Sequence, residues 1–177
     1  VRARRAMPVV LARPEAAVVA LVHGEAPRML VDEFFHQLTR QLATVLGVRE
    51  AFVTECMNYP ITRMHRLAHW KNKEFVAPKD YDLPGAPCEE VIGSGGELYC
   101  FKGASERWPR EKPFGWEAYI GIACRDRDGR VIGHIAIVDD KPMREGQPEW
   151  SVLKLIAERV AIELERRQFA PQVAAAS

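Results

Sequence analysis

Apolar residues recur along the chain at two different periods. Leu30, Phe34, Leu38, Leu42 and Val45 follow one another at three- and four-residue steps, with Asp32, Glu33, Gln37 and Arg40 between them. That spacing predicts an amphipathic helix, which Gly47 closes. The period then drops to two. In "REAFVTECM" (49–57), Ala51, Val53 and Glu55 alternate with Phe52, Thr54 and Cys56, and "TRMHRLAHW" (62–70) follows across Asn58-Tyr59-Pro60. Together these predict two hairpin-paired strands. The runs 117–126 and 129–140 form a second hairpin around Asp126-Arg127-Asp128-Gly129, because Gly accepts the positive φ that a tight turn demands. Both of its strands are apolar on both parities, so a sheet covered on both faces is expected. The last periodic run, 147–168, aligns Trp150, Leu153, Ile156, Val160 and Leu164 on one helical stripe. A further short helix is predicted at 14–24, with Pro14 at its first position and Gly24 at its end.

Between the hairpins the pattern breaks down. Residues 71–117 are rich in Pro, Gly and aromatics, with a short helix expected at 86–92 and a short strand at 97–101. The order is helix, hairpin, insertion, hairpin, helix. It predicts an α+β fold in which an antiparallel sheet carries the terminal helices on one face.

Composition narrows the class. Apolar residues make up 47% and charged residues 28%, the profile of a folded domain rather than a disordered one. The net charge is +1 with the signs interspersed, so only "VRARR" at the start resembles a basic cluster and nucleic-acid binding finds no footing. The apolar stretches after it are broken by Arg13, Pro14 and Glu15, which argues against a secretory signal. No run approaches the ~20 apolar residues of a membrane span. The chain therefore reads as a cytoplasmic protein. Its four cysteines, at 56, 88, 100 and 124, contain no C-x-x-C pair and read as free thiols.

Candidate chemistry is sparse. His65 and His69 lie in a predicted strand, where i,i+4 spacing separates them by about 13 Å, too far to share a metal ion. His134, alone in an apolar strand, has the character of a hydrogen-bonded core residue. There is no G-x-S-x-G elbow and no P-loop. Cys88 follows Pro87 at a predicted helix start, where a thiolate is favoured, but Glu89 and Glu90 work against ionisation. It is therefore read as a packing residue. Tyr99, Phe101, Trp108, Phe114, Trp116 and Tyr119 fall within twenty-one residues. They would either line a small-molecule pocket or form a small core that pins a long loop.

The segments "YDLPGAPCEEVIG" (81–93), "GWEAYIGIACRDRDGRVIGHIAIVDDKPM" (115–143) and "LKLIAERVAIELERR" (153–167) resemble the GAF domain family, in the branch found in bacterial sensor histidine kinases and related signalling proteins. The resemblance runs from about Leu30 to Arg167. It implies a six-stranded antiparallel sheet with terminal helices on one face and, on the other, a ligand pocket under the irregular insertion. It also implies a sensory module of two-component or related signalling, not an enzyme. Such a module pairs with a second copy through its terminal helices and passes its signal to a kinase or other effector domain. On this basis residues 1–29 form an N-terminal segment, 30–170 the GAF domain and 171–177 a flexible tail.

Cys88, Tyr99, Phe101, Trp108, Trp116, Tyr119 and His134 are the ligand-binding candidates, with the cofactor undefined and no metal assigned. The family's cyclic-nucleotide signature and the motifs of its bilin-binding members are missing, which argues against both ligands. The Pro usual in the family's "G-V-P-L" strand is absent, and "GIAC" puts Ala123 and Cys124 at that point. Two other readings stay open. One is a thiol enzyme like the free methionine-(R)-sulfoxide reductases, built on Cys88 and Cys100. The other is a ligand-free dimerisation module.

Overall fold

The computed structural model describes residues 31–174. Helix α1 (Val31–Leu46) leads into strands β1 (Glu50–Cys56), β2 (Arg63–Lys71), β3 (Glu74–Val76) and β4 (Lys79–Asp82). Helix α2 (Pro87–Gly93), strand β5 (Glu97–Cys100), helix α3 (Ala104–Arg107) and a 3-10 turn (Pro109–Phe114) make up the rest of the insertion. Strands β6 (Ala118–Arg125) and β7 (Val131–Asp139) precede the long helix α4 (Glu149–Ala174). The short helix expected at 14–24 lies outside the described residues. Helix α4 continues to Ala174, into the stretch expected as a tail.

The sheet is antiparallel, in the order β3-β2-β1-β7-β6-β5, with β4 also paired to β2. It thus has seven strands, one more than expected. Strands β3 and β4 lie end to end on one edge, β3 against His69–Lys71 and β4 against Arg63–Arg66. Their residues carry too little apolar alternation to stand out from the surrounding loop. The β6–β7 turn forms as expected, with Gly129 at φ 80.

Helices α1 and α4 cover one face. The predicted α4 stripe of Trp150, Leu153, Ile156, Val160 and Leu164 is buried there. It meets Phe35 and Leu42 of α1 and Ile120, Ile135 and Ile137 of the sheet in one apolar cluster. Each such side chain contributes about 1.5–3 kcal/mol by leaving water. The stripe is therefore core, and among its described side chains the large apolar residues that α4 leaves exposed are Leu155 and Ile162.

The other face carries the insertion. Phe52, Val91, Leu98, Cys100, Trp108, Trp116, Tyr119, Ala136 and Val138 form a second cluster there, and Met64, Leu83, Ala86 and Cys88 a third. Close approach depends on Gly121. A Cβ at that position would sit 2.7 Å from Val91 Cγ2 and 2.7 Å from the Tyr119 hydroxyl. The missing side chain leaves room for Val91 of α2 and the Tyr119 ring to pack over this point of β6.

Candidate functional site

Strand alternation decides which side chains face the insertion. Glu50, Phe52 and Thr54 of β1 point that way, as do Tyr119 of β6 and His134 of β7. On β2 a bulge changes the parity. Val53 pairs with Ala68 but Thr54 pairs with Arg66, so Leu67 is the extra residue. Leu67 and Ala68 both pack into the helix-side core. Arg66 and His69, three apart and on opposite faces of a regular strand, consequently share the insertion face.

These groups surround a cavity of about 370 Å³. Its floor is the sheet, with Glu50, Phe52, Arg66, His69, Tyr119 and His134. Its walls are Tyr81, Cys88 and Trp116, and its mouth is framed by Val76 and Lys79 of the β3–β4 edge and by Arg110, Glu111 and Phe114 of the 3-10 turn. The turn is tied down by Arg110, whose Nη1 donates to the carbonyls of Asp82 and Pro84, both at 2.8 Å.

A saturated carboxylate anchors the floor. Glu50 Oε1 accepts from Arg49 Nε at 3.0 Å, Arg49 Nη2 at 2.7 Å and Trp116 Nε1 at 3.2 Å, and Oε2 accepts from His69 Nε2 at 2.9 Å. Burial alone would raise its pKa, but the His69 hydrogen bond and the Lys71 and Arg49 charges outweigh burial and hold it below the usual value. Burial lowers His69, with Arg66 adding to the effect and Glu50 opposing it. A neutral His69 that donates from Nε2 leaves Nδ1 to accept from Arg66 Nη1 at 3.4 Å.

His134 is fully buried, with Nδ1 2.5 Å from Thr54 Oγ1 and Nε2 3.1 Å from the Tyr119 hydroxyl. Burial pushes it down to about 3, with Arg66 adding to the shift, so the ring is a neutral element of the floor. Arg66 lies 4.4 Å over the Phe52 ring and 5.2 Å from that of Tyr81, gripped between two aromatic faces.

Of the residues singled out from sequence, the structure brings Cys88, Trp116, Tyr119 and His134 together at the cavity. Trp108 stands behind Tyr119, ring centroids 5.7 Å apart, and donates from Nε1 to Glu90 at 2.9 Å. Tyr99 and Phe101 go elsewhere. They stack on each other at 6.1 Å and pack against the helix-side core, because Tyr99 on β5 and Phe101 just after it alternate with Leu98 and Cys100, which face the insertion. Proximity in sequence grouped them with the other aromatics, and strand parity separates them.

Cys88 is buried, 3.4 Å from the Tyr81 hydroxyl, with its thiol pushed up to about 11. The direction agrees with expectation but the cause differs. Burial is responsible, since Glu89 accepts from the Gly85 amide and Glu90 pairs with Arg107 and Trp108. Cys100 donates to the Lys102 carbonyl at 3.2 Å, and Cys124 is sealed in the helix-side core.

Glu50, Phe52, Arg66, Tyr81, Arg110 and Glu111 escaped the sequence reading, and His69 entered it only as half of a metal pair set aside on spacing. Phe52 alone had a signal, the alternation of β1. Arg66 had none, because its facing depends on the bulge. Among the described residues no group of three His, Cys, Asp or Glu is placed to hold a metal ion, and no helix is long and apolar enough to cross a membrane.

An antiparallel sheet with helices on one face and a roofed cavity on the other defines an α+β domain of the open-sheet class. The GAF domain family model matches residues 31–164, and the chain belongs to that family. No curated protein matches its sequence significantly. Solved structures share the fold. The GAF domain of an Acinetobacter phosphoenolpyruvate-protein phosphotransferase superposes with a TM-score of 0.70 at 11% identity, over 90% of this chain and 95% of that one. A Neisseria meningitidis free methionine-R-sulfoxide reductase, solved with its substrate, gives 0.72 at 11% identity, over 89% and 91%. A phycocyanobilin-bound GAF domain of a cyanobacterial phytochrome gives 0.68 at 8% identity, over 88% and 96%. At these identities the likeness concerns the fold alone.

Proposed function

We propose that the chain is a non-catalytic sensory GAF domain that binds a small molecule in the cavity between the sheet and the 3-10 turn. The observation that carries this reading is the cavity itself. Trp108, Trp116 and Tyr119 pack beside it and do not fill it, as they would in a domain kept only for dimerisation. The setting is mostly aromatic with a few convergent polar groups, which suits a small-molecule site.

The arrangement of thiols favours sensing over thiol chemistry. Reduction of a sulfoxide requires an attacking thiolate and a second thiol within reach. Cys88 is the cavity's one lining cysteine among the described residues, and its thiol is held protonated by burial. Signalling through a second copy has a physical basis in α4, where Leu155 and Ile162, seven residues apart, stay 46% and 52% exposed and offer a narrow apolar seam. Output to a kinase or other effector domain belongs to the same proposal.

Native mass spectrometry of protein purified from its own host, before and after denaturation, tests the reading. A mass excess lost on denaturation supports it. Turnover of free methionine sulfoxide that Cys88→Ser abolishes would replace it with the enzymatic reading.

A further inference from the structure

Two groups of opposite charge line the cavity and have no ion-pair partner among the described residues. Glu111 is 6% exposed, and its carboxylate has no hydrogen-bond or ion-pair partner among the described residues. Arg66 is partly buried and has no carboxylate partner among the described residues, and its Nε is a buried donor without an acceptor. The contrast with Glu50 is direct, because that carboxylate is saturated by Arg49, Trp116 and His69. Leaving a charge desolvated and unpaired is costly, and a ligand that pairs both groups would remove that cost.

Resting on the sensory reading above, we infer that the cavity takes a zwitterionic small molecule of amino-acid type, its carboxylate on Arg66 and its ammonium on Glu111, with an apolar or aromatic body against Phe52, Trp116 and Tyr119. A simple anion would leave Glu111 buried against a second negative charge. A simple cation would leave Arg66 unanswered. A ligand carrying both charges satisfies both groups and brings no net charge into the cavity. The clamp on Arg66 by Phe52 and Tyr81 fixes the guanidinium before the ligand arrives, which lowers the entropy cost of binding. Lys79 and Arg110 at the mouth add positive charge that draws in the acid end.

The test compares ligands that share a body and differ only in charge. Calorimetric titration of the full chain would use L-phenylalanine against 3-phenylpropionate and 2-phenylethylamine, and L-leucine against 4-methylpentanoate and 3-methylbutylamine. At least one amino acid is expected to bind roughly ten- to a hundredfold more tightly than both of its single-charge counterparts, as one charge-assisted hydrogen bond at each end implies. Glu111→Gln should erase the advantage over the acid, and Arg66→Met the advantage over the amine. Arg66→Lys, which keeps the charge, should retain part of it and guards against loss of folding, which circular dichroism checks. Acids that bind as tightly as the amino acids overturn the inference, and so does the absence of binding by all six probes at about 10 mM. In either case a host-derived mass in the native spectrum leaves the sensory reading standing without the zwitterion, and its absence together with six negative titrations removes both.

Discussion

The two faces of the sheet are made from the same strands and obey different rules. The helix face joins α1, α4 and the inward residues of β1, β2, β6 and β7 in one continuous apolar cluster, with Thr39 and Glu163 the polar groups buried beside it on the two helices. The insertion face divides its apolar residues into two smaller clusters and buries Glu50, Thr54, His69, Glu111 and His134 among them. One face is arranged for stability. The other accepts buried polar groups, which cost stability unless each finds a partner, and it falls short of that condition at the Glu111 carboxylate and at Arg66, whose Nη1 reaches His69 while its Nε has no acceptor. The exceptions, rather than the satisfied groups, are what the proposed ligand would complete.

The sharpest way to break the contrast is to damage the stable face. Phe35→Ala removes a fully buried ring and should cost about 3–5 kcal/mol, read as a lower urea midpoint at pH 7. Acid should act through the other face. The folded pKa of His134, about 3, lies below its ordinary 6.5, so the unfolded chain binds the extra proton first. Its contribution is fully present above pH 6.5 and is lost as pH falls toward 3, at up to about 1.4 kcal/mol per pH unit.

His69 is shifted in the same direction, and Glu50, held low, adds a loss below its ordinary 4.5. Glu111 opposes them, because burial raises it and the folded state then holds the proton more tightly. Urea midpoints between pH 7 and pH 5 should therefore fall, and His134→Gln should flatten the slope. A slope unchanged in that variant would refute the assignment.

Gly121→Ala drives a methyl group toward Val91 and the Tyr119 hydroxyl, and should cost about 1–3 kcal/mol in thermal or chemical unfolding. The smallest effect belongs to Tyr99→Leu. Tyr99 is partly exposed and packs on the helix side, so the change should stay within about 1 kcal/mol and leave ligand occupancy in the native spectrum unaltered. Occupancy lost in that variant would mean that the two faces communicate more strongly than their separate packing implies.

The α+β class, both helices of the helix face, both main hairpins and the Gly129 turn follow from the sequence alone, because each rests on a local period or a turn residue with one conformational meaning. The motifs around Cys88 and in the β6–β7 hairpin carried the family in the same way. Only the tertiary structure decided the site. The Leu67 bulge brought Arg66 onto the face of His69, strand parity sent Tyr99 and Phe101 away from Trp116 and Tyr119, and burial set the state of Cys88 where neighbouring carboxylates had been expected to. Periodicity reports which residues avoid water, and it is blind to a one-residue change of register. In a sheet, that single residue exchanges one face for the other.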